Sequence, residues 1–77
     1  MSRQKEDSVF NRVEDLRLER DLTRQQLAEA VGVHYQTIGY LERGEYSPSL
    51  ILAFKIAKAL DAEIPEVFSI EPFKKGA

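Results

Sequence analysis

The 77-residue chain has no cysteine, no tryptophan and a single histidine. Without cysteine there is no disulfide framework, and with one histidine there is no Cys/His zinc site, so the usual staples of small domains are closed to it. No apolar run approaches the ~18 residues of a membrane span, and the opening "MSRQKEDSVF" lacks the apolar stretch of a secretion signal. The expected location is the cytoplasm. An excess of positive charge is missing too. Lys plus Arg number 11 against 13 Asp plus Glu, a net charge of −2. A strongly basic domain is the usual footprint of nucleic-acid binding, so this balance argues mildly against such a partner unless the charges are segregated by face. A chain of this length buries only roughly 60% of its unfolded surface. Its stability is therefore expected from a compact helical core, extended by dimerisation.

Helical periodicity is what the sequence does contain. Residues 1–8 are polar and without pattern, a tail, with Ser8 a candidate cap. Phe10, Val13 and Leu16 form a stripe that predicts helix one from Val9 to Arg20. Thr23 followed by Gln26 is a capping-box pattern and opens helix two, Arg24 to about Val31, with Leu27, Ala28 and Val31 on one face. Gly32 stops it, Val33 and His34 bridge, and helix three runs from Tyr35 to Arg43 before Gly44. Pro48 forbids helix just before it and Ser49 can cap helix four, Leu50 to Leu60. The apolar Leu50, Ala53, Phe54, Ile56, Ala57 and Leu60 of that helix are expected in the core. Pro65 suits the start of a short helix five, with Ile64, Val67 and Phe68 folding back. The tail 70–77 has no pattern. There are no repeats, no low-complexity segments and no evident strands. The expected fold is all-α, a compact five-helix bundle over residues 9–69.

The stretch "GVHYQTIGYLERG", residues 32–44, is unusual for a helix built only for stability. Ile38 and Leu41 keep the apolar spacing, but Tyr35, Gln36, Thr37, Gly39 and Tyr40 are not strong helix formers. Two short helices joined by a three-residue turn that begins with Gly match a helix-turn-helix. Leu27, Val31, Val33, Ile38 and Leu41, with Ala28 and Gly32, occupy the positions that such a corner needs filled or kept small.

Together "LTRQQLAEAVGV", "TIGYLERG" and "PSL" resemble the Xre family of bacterial and phage repressors, the Cro/CI-type helix-turn-helix; the resemblance covers Asn11 to about Phe68. It implies a lambda-repressor-like DNA-binding domain, regulating transcription as a homodimer on a two-half-site operator. Helix three would be the recognition helix, with Tyr35, Gln36, Thr37 and Tyr40 reaching base edges. Glutamine suits this role because its amide accepts and donates to adenine at once. Arg24 matches a family position that holds a phosphate, Arg43 and Tyr46 would approach the backbone at the far end, and Arg12 is a weaker phosphate candidate. Arg17 and Glu42 match a pair that bridges helix one to helix three. The charge balance then ceases to object, since residues 30–41 contain no charged side chain and Arg24 and Arg43 flank them.

Plainer readings stand beside these. Tyr35, Gln36 and Tyr40 fit a solvated face equally well in isolation, and Arg17–Glu42 fits a surface ion pair worth ~0–1 kcal/mol. Phe54, Phe68 and Phe73 fit core or dimer surface, with helix five and residues 70–73 the candidate dimer contact. A protein-interaction module of the same fold, such as an antitoxin holding a toxin, is the second reading. No nucleophile–base pair, catalytic carboxylate pair or phosphate-cradling glycine loop is present, so neither an enzyme nor a cofactor is expected.

Overall fold

In the computed structural model, which describes residues 9–73, five helices follow one another: α1 (Val13–Glu19), α2 (Arg24–Val31), α3 (Tyr35–Glu42), α4 (Leu50–Ala59) and α5 (Ile64–Val67). A short antiparallel ribbon joins the two ends of the described chain. Its strands are β1 (Phe10–Asn11) and β2 (Phe68–Ser69), with Phe10 opposite Ser69 and Asn11 opposite Phe68. The expected N-terminal tail and its Ser8 cap lie outside the described residues, as do the last four residues of the C-terminal tail.

The ribbon corrects two expectations. The apolar stripe places helix one from Val9 and leaves no strand, whereas α1 starts at Val13 and Phe10 is extended. Asn11 explains the switch. Its Oδ1 accepts from the Val13 N–H at 3.0 Å, satisfying one of the unpaired donors at the start of α1, and the Arg12 N–H donates to the Val67 carbonyl at 2.9 Å. The other side-chain group of Asn11 donates to the Leu41 carbonyl at 2.9 Å, which ties the ribbon to the last turn of α3.

The remaining boundaries follow local chemistry. Thr23 Oγ1 accepts from the Gln26 N–H at 3.0 Å and Gln26 Oε1 accepts from the Thr23 N–H at 2.8 Å, a complete capping box for α2. Gly32 ends α2 at φ +80°, a backbone state in which a Cβ would be strained. Ser49 Oγ accepts from the Leu52 N–H at 3.1 Å and starts α4. Helices α1 and α4 reverse at Asp21 and Asp61, which take φ +57° and +55°; a short polar side chain tolerates this left-handed state better than most.

One core lies between the helices. Val13, Leu27, Ile38, Ile56, Leu60 and Val67 are fully buried, and Leu41 and Ala28 close the contact between α2 and α3. Each large apolar side chain buried in this way contributes about 1.5–3 kcal/mol. Only one face of α4 takes part, through Leu52, Ile56, Ala57 and the capping Leu60. Leu50 and Phe54, expected inside, are 74% and 54% exposed, beside Ile51 at 66%. The apolar pattern of α4 runs around the helix, but a single small core covers only one side of it. Among the described residues no helix is long and apolar enough to cross a membrane.

Candidate nucleic-acid interface

The corner that presents α3 is built from small and rigid parts. Ala28 is buried where α2 meets α3, Gly32 turns the chain, and Val33 packs against the core. His34 then caps α3: its Nδ1 accepts from the Gln36 N–H at 3.1 Å, and its ring stacks on Tyr35 with centroids 4.6 Å apart. A histidine thereby does what Ser or Thr does at most helix starts. Ile38 and Leu41 pin the inner face of α3 to the core. With that face fixed, Tyr35, Gln36 and Tyr40 point into solvent, both tyrosines being 48% exposed, while Thr37 is half-buried.

Behind this face lies a charged junction. Glu42 ends α3 with a side chain only 1% exposed. Its Oε2 accepts from Arg17 Nε at 2.7 Å, and Oε1 accepts from Arg24 Nε at 2.8 Å and more weakly from Arg17 Nη2 at 3.4 Å. Arg17, itself buried, also donates from Nη1 to the Leu22 carbonyl at 2.8 Å. One guanidinium therefore fixes α1, the α1–α2 turn and α3 together. A pair with this burial and this fork geometry is not the surface ion pair of the plainer reading.

Arg24 is the member that faces outward. Its hydrogen bond to Glu42, and then the Glu42 charge, hold the guanidinium above its ordinary, already strongly basic value. It lies over Gly39, where a Cβ would stand 3.9 Å from Arg24 Nε and 3.5 Å from Arg43 Nη1. Arg43 in turn covers the Tyr40 ring at 5.1 Å and pairs with Glu45 at 3.4 Å. The expectation that Arg24 and Arg43 hold opposite ends of the face is thus corrected. They meet above its middle, and Arg24, Tyr35, Gln36, Gly39, Tyr40 and Arg43 line one shallow cleft.

The other candidates stand elsewhere. Tyr46 is exposed beside a crevice formed with Val9, Asn11, Leu41 and Phe68, and Arg12 lies 5.8 Å from the Phe73 ring. Neither lines the cleft on α3. Two participants escape a sequence reading: Asn11, which anchors the end of α3, and the Arg24–Glu42 contact. An Asn ahead of an apolar stripe was the available signal for the first. Among the described residues no group of His, Asp and Glu could hold a metal ion.

Comparison with known proteins bears on this geometry. The helix-turn-helix family model HTH_3 matches residues 13–67, from the first residue of α1 to the last of α5. An uncharacterized HTH-type transcriptional regulator of Methanothermobacter thermautotrophicus is 52% identical over 60 residues, 77% of this chain and 87% of the relative. The cryptic phage CTXphi transcriptional repressor RstR of Vibrio cholerae is 37% identical over 59 residues, 77% of this chain and 53% of the repressor. Among solved structures, the restriction-modification controller protein C.AhdI from Aeromonas hydrophila superposes with a TM-score of 0.67 at 35% identity, covering 70% of this chain and 82% of that protein.

Proposed function

This chain belongs to the helix-turn-helix family HTH_3, and from that premise we propose that it is a sequence-specific transcriptional regulator, a repressor that reads the major groove of an operator with α3. The observation that carries the reading is the outward face of α3. Uncharged hydrogen-bonding side chains, Tyr35, Gln36 and Tyr40, stand exposed around the two arginines that meet over Gly39, on a helix whose other face is locked into the core. Such a face suits base edges, which are read by directional donors and acceptors rather than by bulk charge. The acidic balance of the chain is then no obstacle, because the Glu42 carboxylate buried behind the face is held by Arg17 and Arg24.

The working unit is a homodimer in the cytoplasm. Leu50, Ile51 and Phe54 form an apolar patch on α4 that nothing among the described residues covers. The dimer contact is placed there and not at helix five and residues 70–73, because a second copy seated on the patch would remove it from water. Two α3 helices would enter successive major grooves about 34 Å apart. The same patch is what favours the second reading, a module that holds a different protein such as a toxin.

Selection from random duplexes at low salt tests the proposal. The expected result is enrichment of an inverted repeat with half-sites one helical turn apart. Recovery of no preferred sequence defeats it, and a monomer that captures DNA through single half-sites defeats the dimer alone.

A further inference from the structure

Two arginines from different elements reach the same point on α3, and each is tied through Nε to a carboxylate, the one on Arg24 being shared with Arg17. Arg24 is tethered through Nε to Glu42 at 2.8 Å, and Arg43 through Nε to Glu45 at 3.4 Å. A guanidinium carries five N–H donors in a planar fork, so a tether at Nε spends one and leaves the terminal amino groups. Among the described residues those terminal groups donate to nothing in either arginine. The side chains are 43% and 51% exposed, and the Tyr40 ring lies beside the Arg43 guanidinium at 5.1 Å.

Two like charges would ordinarily swing apart. Here Glu45 and the Glu42 carboxylate shared with Arg17 offset part of the repulsion, and both guanidiniums lie over Gly39, the one position of the outward face with no side chain to hold them off. We infer that Arg24 and Arg43 act as a single two-fork clamp that grips one DNA group presenting closely spaced acceptor atoms, with Glu42 as the residue that positions Arg24. The inference rests on the DNA-binding reading above. Duplex DNA offers two groups of this chemistry, the N7/O6 edge of guanine and a backbone phosphate. In either case the two arginines work as a unit and not as two independent contacts.

A double-mutant cycle on a selected duplex tests this. Arg24→Gln, Arg43→Gln and the double variant are titrated with DNA, and thermal unfolding of each confirms that the fold is kept. A clamp predicts that each single change loses roughly tenfold in affinity and that the double change loses little more, because coupled groups are not additive. Gly39→Leu, which fills the point of convergence, is expected to lose as much as the double variant. Losses that multiply, to roughly a hundredfold in the double variant, overturn the clamp. The source of the acceptors is read from modified duplexes. If guanine is gripped, 7-deazaguanine at one position abolishes the effect of both substitutions; if a phosphate is gripped, one methylphosphonate linkage does so. Failure of the wild-type chain to bind any duplex at low salt defeats the DNA-binding reading itself, whereas intact binding with multiplying losses defeats only the clamp.

Discussion

Glu42 accepts a hydrogen bond from Arg17 on one oxygen and from Arg24 on the other, at 2.7 and 2.8 Å, with its own side chain almost wholly buried. The carboxylate thereby joins the scaffold to the reading face. Removing it as Glu42→Ala leaves the buried Arg17 guanidinium uncompensated. The expected cost is about 3–5 kcal/mol, a large part of the stability of a domain this small. Urea unfolding measures it. Arg17→Met together with Glu42→Leu, which removes the buried pair and leaves the part-exposed Arg24 free to turn to water, is expected to recover much of the loss.

Asp21 takes φ +57°, and among the described residues its carboxylate accepts no hydrogen bond. Left-handed backbone costs an ordinary residue about 1–2 kcal/mol, and glycine nothing. Asp21→Gly is therefore expected to stabilise the protein by somewhat less than that, about 0.5–1 kcal/mol, and to raise the melting temperature by several degrees in a domain of this size. A lowered melting temperature would show that the strain inferred from the dihedral is not present.

At Gly39 a Cβ meets its nearest neighbours at 3.5 and 3.9 Å, ordinary contact distances. Gly39→Ala should accordingly fit beneath both arginines and gain up to about 1 kcal/mol of helix propensity. Calorimetry measures the gain.

Phe54→Asp probes the uncovered side of α4. The side chain is more than half exposed, so the isolated fold should change by no more than about 0.5 kcal/mol. Sedimentation equilibrium is expected to give a dimer mass for the unsubstituted chain and a monomer mass for the variant. Operator affinity should fall with it, since two linked half-sites bind far more tightly than one.

How much of this was legible in the sequence depends on the range of each interaction. Thr23 with Gln26, Gly32 and Ser49 announce helix ends because the chemistry lies within three residues, and the structure keeps all of them. The α2–α3 corner was legible for the same reason. The ribbon was not, since Phe10 and Asn11 pair with Ser69 and Phe68 far along the chain, and two-residue strands carry no alternation to detect. Leu50 and Phe54 misled because apolar spacing reports a tendency to be buried, not what is available to bury it. At the site itself, the residue types of the face could be read from the pattern. The meeting of Arg24 and Arg43 over Gly39 could not, because it depends on the angle at which α2 crosses α3.

The account stands most directly on Gln36. Binding-site selection carried out in parallel with the unsubstituted chain and Gln36→Ala, at one salt concentration, separates base reading from mere attachment. The account predicts that the variant loses preference at one position in each half-site, worth about 1–3 kcal/mol, and keeps it elsewhere. Equal weakening on every duplex, with the sequence preference intact, would contradict it.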